Sequence, residues 1–344
     1  MGMSLQERLG LLTQLGEYLQ SDDERLMAYV QRTFYHNPWF TPDNQRKAMK
    51  AIAREMLSPE KLQEWIQPYQ LPEALPSEKT IGMVMAGNLP LVGFQDVLCV
   101  FVSGHRTLVK LSEKDKYLLP HLISWLEERD ERVKGRVVFS ERLNGFDAVI
   151  ATGSNNAYRY FEAYFGRKPG ILRKNRNSVA ILNGQESPAA LHALGQDIFA
   201  YFGLGCRNVS KIYVPRGYNF EPLLEALHEF RDIVLHEKYK HNFDYNYALF
   251  VLNRAEFLNT GSLILQENPS LLSRIACLHY EYYDSQEDLA ASLHAHREDI
   301  QCLVAGQPLD SWNTLAFGTT QQPGLHDYPD GVDVMQFLRT MSLP

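Results

Sequence analysis

The chain has 344 residues, of which 45% are hydrophobic and 22% are charged, and its formal net charge is −7. This length allows roughly two domains that each bury a core, which excludes a small disulfide scaffold. Charges of both signs are interspersed, whereas a nucleic-acid-binding protein would carry a basic stripe. We therefore expect the partner to be a small molecule or another protein, not a nucleic acid.

The cysteines and the N-terminus indicate in which cellular compartment the protein is expected. The four cysteines, at positions 99, 206, 277 and 302, show neither a CxxC pair nor the Cys/His spacing of a metal site. The N-terminus lacks the basic and apolar pattern of a secretory signal. No apolar run approaches the roughly 18–20 residues that a membrane-spanning helix needs. We expect a cytoplasmic protein with no metal and no membrane span.

The first part of the chain is predicted to be helical. Leucines at helical spacing predict an amphipathic helix over Leu5–Leu19, whose apolar stripe packs on the core or on another copy. Thr41 as N-cap and Pro42 at the first position predict another helix, which ends before Ser58. The proline-rich residues 67–76 read as a linker. Residues 1–76 therefore form a helical segment and linker.

From Thr80 onward, short apolar runs alternate with helical patterns. The predicted strands are Thr80–Met85, Thr107–Leu111, Val137–Phe139 and Ala148–Thr152, and the predicted helices are Gly93–Ser103, Tyr117–Glu128 and Asn155–Phe165. This alternation predicts an α/β protein with parallel sheets covered on both faces. A second unit follows, with strands predicted at Val179–Leu182, Lys211–Val214 and Ala248–Leu252.

These patterns predict an α/β domain over residues 77–177, a second one over 178–310 and a C-terminal tail over 311–344. The tail contains Gly318–Pro329, which is rich in turn residues. Such a segment fits either a flexible cap over the site or an ordinary surface connection.

Cys206 lies between a predicted helix and a predicted strand, over Ala189–Ala200 and Val209–Pro215. Gly203 and Gly205 leave room for a substrate carbonyl, and Arg207 favours the ionised sulfur. These features predict a reactive thiolate. A lone cysteine also fits an inert core residue.

Asn88 follows the first predicted strand, and ligands bind at the carboxyl ends of parallel strands. Its carboxamide could stabilise the oxyanion that forms when a thiolate attacks a carbonyl, an effect worth about 3 kcal/mol. Gly-Asn-x-Pro is also a common turn.

Polar residues follow the second and fourth strands as well. Lys110 and Glu113 could bind the ribose hydroxyls or the 2′-phosphate of a nicotinamide dinucleotide, although the G-x-G-x-x-G fingerprint is absent. Ser154 opens a helix whose free N–H groups could hold a pyrophosphate. Lys110 equally fits a solvated surface charge, and Ser154 equally fits a simple helix cap.

These segments, in this order, resemble the aldehyde dehydrogenase superfamily, and within it the bacterial long-chain acyl-CoA reductases of the LuxC type. The resemblance extends from about residue 81 to 338. It is carried by Ala86–Phe94, Ser103–Glu113, Ala151–Ser154, Lys174–Ala180, Gly203–Ser210 and Asp327–Val334. Each motif alone is weak, whereas the ordered set is specific.

The resemblance implies an aldehyde dehydrogenase-like fold with two parallel-sheet α/β domains, the first for the cofactor and the second for catalysis, and a tail that returns to the cleft. It implies that Cys206 is the acylated nucleophile and Asn88 the oxyanion donor. It further implies cofactor contacts from the strand-end residues Lys110, Ser112, Glu113, Gly153 and Ser154.

One position departs from the hydrolytic members of the superfamily. There a glutamate upstream of the cysteine activates water, whereas this chain has Arg173 at that position. An arginine stays protonated and cannot act as a general base. Water attack on a thioacyl intermediate should therefore be slow, which favours an acyl reductase. Arg173 is expected to contact coenzyme A phosphates or to pair with surface acids, and Arg207 is a second candidate substrate contact.

The sequence thus predicts NADPH-dependent reduction of a long-chain fatty acyl-CoA thioester to an aldehyde through a thioacyl intermediate on Cys206. The substrate is acyl-CoA or an acyl carrier, an acyl-transferring protein is a candidate partner, and a homo-oligomer is expected. Three alternatives stay open: an acyl phosphate reductase, a CoA-acylating aldehyde dehydrogenase and a non-catalytic acyl-transfer partner subunit.

Overall fold

The computed structural model describes residues 2–73, 75, 77–309 and 312–341. The chain forms two compact units, the first made of residues 1–175 and 322–344 and the second of residues 176–321. Within the described ranges, no helix combines the length and the apolar character needed to cross a membrane.

Four helices begin the first unit: α1 (Leu5–Leu19), α2 (Glu24–His36), α3 (Pro42–Met56) and α4 (Pro59–Ile66). Each starts at a Ser, Asp or Thr whose side chain accepts a hydrogen bond from a backbone N–H of the first turn. The predicted helix over Leu5–Leu19 and the predicted start at Pro42 are both confirmed. In the predicted linker, Gln67–Tyr69 is a 3-10 turn, whereas Ala74 and Pro76 lie outside the described residues.

The first unit contains a five-stranded parallel sheet. Its strands are β1 (Thr80–Val84), β2 (Arg106–Lys110), β3 (Val137–Phe139), β4 (Ala148–Thr152) and β5 (Gly170–Arg173), in the order β3-β2-β1-β4-β5. The helices between them are α5 (Phe94–Ser103), α6 (Leu118–Arg129) and α7 (Asn155–Phe165). All were predicted to within about two residues, except β5. The strand order reverses between β1 and β4, and ligands of open α/β sheets bind at such a point.

The second unit contains a seven-stranded sheet. Its elements are β6 (Asn177–Ile181), α8 (Pro188–Phe199), β7 (Val209–Pro215), α9 (Glu221–His228), α10 (Glu237–Leu252), β8 (Leu258–Asn259), β9 (Ile264–Glu267), β10 (Cys277–Tyr283), α11 (Gln286–Ala295), β11 (Ile300–Ala305) and β12 (Thr314–Leu315). The order is β12-β11-β6-β7-β10-β9-β8, and among the strands of the described residues only β8 and β9 pair antiparallel.

The strand predicted at Ala248–Leu252 is wrong, because these residues form the last turns of α10. A run of five apolar residues fits a strand or a helical segment equally well. The helix is set by its start, where the His236 side chain accepts a hydrogen bond from the Tyr239 N–H. Val251 and Leu252 are 51% and 80% exposed, so they do not belong to a buried strand.

The C-terminal part of the chain belongs to the first unit. Helix α12 (Val334–Met341) buries Val334 and Leu338 in the same core as α1 and α5. The Trp65 indole N–H donates to the Tyr328 hydroxyl at 2.7 Å. The tail is thereby anchored to the N-terminal helices. The functional roles assigned to residues 77–177, 178–310 and 311–344 stay predictions.

Candidate functional site

Cys206 lies on the turn between α8 and β7, a few residues after a strained stretch of backbone. Tyr201 and Phe202 have φ values of 50° and 61°, and Gly203 follows with φ 74°. Two consecutive non-glycine residues in the left-handed region cost roughly 1–3 kcal/mol each, and such strain persists only where the surroundings enforce it. The strained stretch turns the chain abruptly at the end of α8 and leads into Cys206.

The four cysteines differ in accessibility. Cys206 is partly exposed, whereas Cys99, Cys277 and Cys302 are buried. Burial raises the pKa of the Cys99 thiol far above its ordinary value, and it raises that of Cys277 to about 12. Since the thiolate is the nucleophile, these buried thiols are poorly suited to covalent chemistry. Cys206 is therefore the most accessible of the four cysteines.

The Cys206 turn is closed by the side chain of Asn208, which is 3% exposed. Its Oδ1 atom accepts from the Gly205 N–H at 2.8 Å. Its Nδ2 atom donates to the carbonyl oxygens of Asp197 at 2.9 Å and Ala200 at 2.8 Å. One carboxamide therefore joins the end of α8 to the residue that precedes Cys206.

The segment Gly318–Thr320 is anchored to the same end of α8. The buried Asp197 carboxylate accepts from the Gly318 N–H at 2.6 Å and from the Thr320 N–H and hydroxyl at 3.1 and 2.8 Å. Burial raises the pKa of Asp197, although these donors oppose the shift. Arg207 Nε donates to the Thr320 carbonyl at 2.5 Å. Hydrogen bonds therefore anchor the start of Gly318–Pro329, and its role as a cap or as a surface connection stays a prediction.

In the first unit, the loops after β1 and β2 are in direct contact. A Cβ atom on Gly87 would lie 2.2 Å from the Ser112 Oγ, so only glycine fits there. The Leu91 N–H donates to Asp115 Oδ2 at 2.8 Å, and Leu91 has a left-handed φ of 57°. Asn88 lies in the sequence between Gly87 and Leu91, the two residues that make these contacts, and it is partly exposed.

Asp115 is a buried carboxyl in this loop contact. Burial raises its pKa to about 6, and the hydrogen bond from the Leu91 N–H opposes the rise. Within the described ranges, its Oδ1 atom has no hydrogen-bond partner. A carboxyl in such surroundings favours its neutral form.

The predicted cofactor residues after β2 are accessible. Lys110 and Glu113 are exposed, and Ser112 is partly buried against Gly87. Glu113 forms an ion pair with Lys116 at 2.9 Å, and this hydrogen bond lowers its carboxyl pKa. An ammonium group and a carboxylate are thus available at the carboxyl end of the sheet.

Gly153 and Ser154 lie at the junction of β4 and α7. Ser154 is exposed and caps α7, with its Oγ accepting from the Ala157 N–H at 3.3 Å. A Cβ on Gly153 would lie 2.8 Å from the Ala157 Cβ and 3.0 Å from the Phe161 ring. Gly153 is therefore required for α7 to pack on its own strand, a role that the sequence did not suggest. Ser154 is a cap whose helix N-terminus can also accept an anion.

Arg173, at the end of β5, forms a buried ion pair with Asp96 of α5. The two N–O distances are 2.6 and 3.1 Å, and Arg173 is 2% exposed. Burial lowers the guanidinium pKa, but the Asp96 carboxylate outweighs it, so that the pKa is raised. The predicted pairing with surface acids is wrong, because the partner is buried. A contact with coenzyme A would require this pair to open.

The residues at the ends of β2 and β4 fit a dinucleotide in chemical type. An ammonium group, a carboxylate and an open helix N-terminus suit phosphate and ribose groups. Within the described ranges, no group of three or more His, Cys, Asp or Glu side chains could hold a metal ion.

Comparisons with known proteins give one distant relative and many similar structures. No family model matches the chain. The chain is 24% identical over 232 residues to long-chain acyl-protein thioester reductase 2 of Photobacterium leiognathi, a match that covers 60% of this chain and 47% of that protein. The matched part thus spans about half the length of this curated relative.

The similar solved structures include two that each cover 90% of this chain. A putative aldehyde dehydrogenase from Burkholderia cenocepacia has a TM-score of 0.66, 14% identity and 76% coverage of its own chain. A mutant of aldehyde dehydrogenase C from Pseudomonas syringae, solved with NAD+ and octanal, has a TM-score of 0.63, 13% identity and 73% coverage. The predicted aldehyde dehydrogenase-like fold is confirmed, and so is the resemblance to the bacterial acyl thioester reductases.

Proposed function

We propose that this protein reduces a fatty acyl thioester to the aldehyde with NADPH, through a thioacyl intermediate on Cys206. The observation that carries the proposal is the partly exposed Cys206 on a strained, clamped turn of an aldehyde dehydrogenase-like fold. The distant relative whose name is thioester reductase supports this type of substrate. Long-chain acyl-CoA is the proposed acyl donor, with an acyl carrier protein as the other source of the same thioester.

The first chemical step is acyl transfer to the enzyme. The Cys206 thiolate attacks the thioester carbonyl carbon, the new S–C bond forms, and the carrier thiolate leaves with the electrons of the old bond. The Asn88 carboxamide donates to the carbonyl oxygen as negative charge develops there, which is worth about 3 kcal/mol. A thiolate leaving group needs little acid assistance.

A nicotinamide dinucleotide, when bound, supplies the hydride. Lys110, Ser112 and Glu113 would hold its ribose end, Ser154 would hold its pyrophosphate, and Gly153 would allow the cofactor to approach closely. The exposed Lys110 ammonium group suits a 2′-phosphate, which supports NADPH. After reduction, the carbon–sulfur bond breaks, which releases the aldehyde and restores the Cys206 thiolate.

Hydrolysis of the thioacyl intermediate should be slow, because Arg173 stands where hydrolytic members of the superfamily have a general base. Arg173 stays protonated and pairs with Asp96, so that neither group takes a proton from water. Arg207 directly follows Cys206 in the sequence, and its guanidinium is held by the Thr320 carbonyl. We therefore propose that Arg207 contacts the acyl carrier. A cytoplasmic location, a homo-oligomeric state and an acyl-transferring partner protein remain predictions.

The test is turnover of acyl thioesters by the purified chain. We expect NADPH oxidation and equimolar aldehyde with acyl-CoA substrates, and neither product with Cys206→Ala. Cys302→Ala, which removes a buried thiol, is the matched control and should keep turnover. Aldehyde from acyl phosphate but from no thioester would favour an acyl phosphate reductase, and activity only after a second protein is added would favour a partner subunit.

A further inference from the structure

The Cys206 turn is held in a conformation that its own residues disfavour. Tyr201 and Phe202 both have positive φ, a region that L-residues with large side chains rarely adopt. The turn therefore relaxes unless other groups hold its two ends. The position of the Cys206 sulfur therefore depends on the conformation of this turn.

Asn208 holds both ends. Its Nδ2 reaches the Ala200 carbonyl, which precedes the strained pair, and its Oδ1 receives the Gly205 N–H, which follows it. The reverse amide orientation would place an N–H against the Gly205 N–H and an oxygen against two carbonyl oxygens, so the hydrogen bonds determine the orientation. Asn208 is buried, and water cannot replace these bonds cheaply.

The other side of the turn is fixed at the start of the neighbouring strands β6 and β7. Ser178, which is fully buried, donates from its Oγ to the Cys206 carbonyl at 2.9 Å. The register between β6 and β7 shifts here, because Ser178 pairs with Val209 and Val179 pairs with Lys211. Such a bulge leaves one extra residue and re-aims the chain next to it. Asn208 therefore closes the turn against a backbone already fixed on the strand side.

We propose that Asn208 is the positioning residue of Cys206. Its carboxamide keeps the strained turn closed, and so it sets where the sulfur lies and how readily it reacts. The inference rests on the proposed function in taking Cys206 as the nucleophile. Asn208 is buried and is assigned no contact with substrate or cofactor, so in this proposal it acts through the turn.

Asn208→Asp is the sharpest variant because it keeps the size of the side chain. The carboxylate still accepts from Gly205, but it places an oxygen against the carbonyl oxygens of Asp197 and Ala200. Asn219→Asp is the matched control, since Asn219 is exposed and only its Oδ1 accepts, from the Glu221 N–H. The readout is the rate of Cys206 alkylation by iodoacetamide across a pH series, measured on the Cys206 peptide by mass spectrometry.

We expect Asn208→Asp to lower the alkylation rate about tenfold and to move its pH profile, since a shift of about 1 Å in reacting atoms can cost about a hundredfold in rate. In acyl-CoA turnover, kcat should fall more than KM rises. Asn219→Asp should match the wild type. A folded Asn208→Asp protein with lower thermal stability but an unchanged alkylation profile would overturn the proposal, because the role would then be structural only.

A milder variant covers the case in which Asn208→Asp does not fold. Thr320→Val removes one hydrogen bond to the carboxylate of Asp197, the residue whose carbonyl Asn208 binds, and so it loosens the end of α8. Thr319→Val alters an exposed neighbour and is the control. Thr320→Val should slow Cys206 alkylation about twofold to fivefold, and equal rates for the two variants would overturn the proposal. Alkylation needs no acyl substrate. A protein that fails to reduce thioesters but shows these alkylation changes would refute the proposed function alone.

Discussion

Gly87 and Ser112 approach so closely that a Cβ atom on Gly87 would lie 2.2 Å from the Ser112 hydroxyl oxygen and 2.4 Å from its Cβ. The loop that carries Asn88 and the loop that follows Lys110 are therefore packed together without a side chain between them. The proposed oxyanion donor and the proposed ribose contacts share this single loop contact. A change at the contact should affect both roles at once.

Gly87→Ala should push these loops apart. Forcing a methyl group into a filled space typically costs about 1–3 kcal/mol, so both the free energy of unfolding and NADPH affinity should fall. Ser112→Gly in the same protein removes the opposing atoms and should recover much of the stability. Gly10→Ala, where nothing lies within 4 Å of the added atom, is the control. Denaturant unfolding of the wild type, Gly87→Ala, Ser112→Gly and the double variant measures the coupling, and purely additive effects would contradict the loop contact.

Asn88→Ala should lower acyl-CoA turnover about a hundredfold or more, because one oxyanion donor is removed from the transition state. NADPH binding should change far less, since the carboxamide is assigned to the acyl carbonyl. The measurement is kcat together with NADPH binding by fluorescence titration. Equal losses in binding and in turnover would indicate that Asn88 only shapes its turn.

Arg173→Met should be strongly destabilising, because it leaves the Asp96 carboxylate buried without its partner. Breaking a buried pair on one side costs about 3–5 kcal/mol, whereas replacing both partners by apolar residues is often nearly neutral. The double variant Arg173→Met/Asp96→Leu should therefore be more stable than Arg173→Met. The exposed pair Arg25–Glu128 gives the control, since Arg25→Met should cost less than about 1 kcal/mol. Urea unfolding measures each value, and a single variant no less stable than the double one would contradict the pair's role.

Asp115 should make the first unit less stable as the pH rises. Burial raises its folded pKa to about 6, above its ordinary value of 3.8, so the native state holds this proton more tightly than the unfolded chain does. Its contribution is fully present below the unfolded pKa and is lost as the pH rises through about 6. Two pKa units correspond to about 3 kcal/mol.

Asp115→Asn keeps an acceptor for the Leu91 N–H and removes the titration. Relative to the wild type, its free energy of unfolding should rise by about 3 kcal/mol between about pH 4 and pH 7. Asp43→Asn is the control, because the Asp43 side chain is 86% exposed. Parallel pH profiles for Asp115→Asn and the wild type would show that this carboxyl does not titrate in that range.

Local sequence patterns were sufficient to predict most of the first sheet. Val137–Phe139, Ala148–Thr152 and Asn155–Phe165 have the bounds that their apolar spacing predicted. The short run Ala248–Leu252 was misassigned because five apolar residues carry no period that separates strand from helix. The sequence reading did not predict strands β5, β8, β9, β10, β11 and β12, and β10 mixes polar and aromatic residues along its length.

The chemistry of the site was predictable where residues are close in sequence, and it was not predictable where they are far apart. The position of Cys206 on a turn between a helix and a strand could be predicted directly from the local sequence. Asp96 lies 77 positions from Arg173, and Thr320 lies 123 positions from Asp197, so that no spacing rule links them. The left-handed backbone at Phe202 was also invisible, because large L-residues default to negative φ.

The most direct test of the central claim is mass spectrometry of the intact protein after incubation with acyl-CoA in the absence of NADPH. The claim predicts one added acyl group per chain, located on the Cys206 peptide and absent from Cys206→Ala. Addition of NADPH should remove the acyl group and release the aldehyde. An acyl group on another residue, or an unmodified Cys206 in a protein that still produces aldehyde, would contradict it.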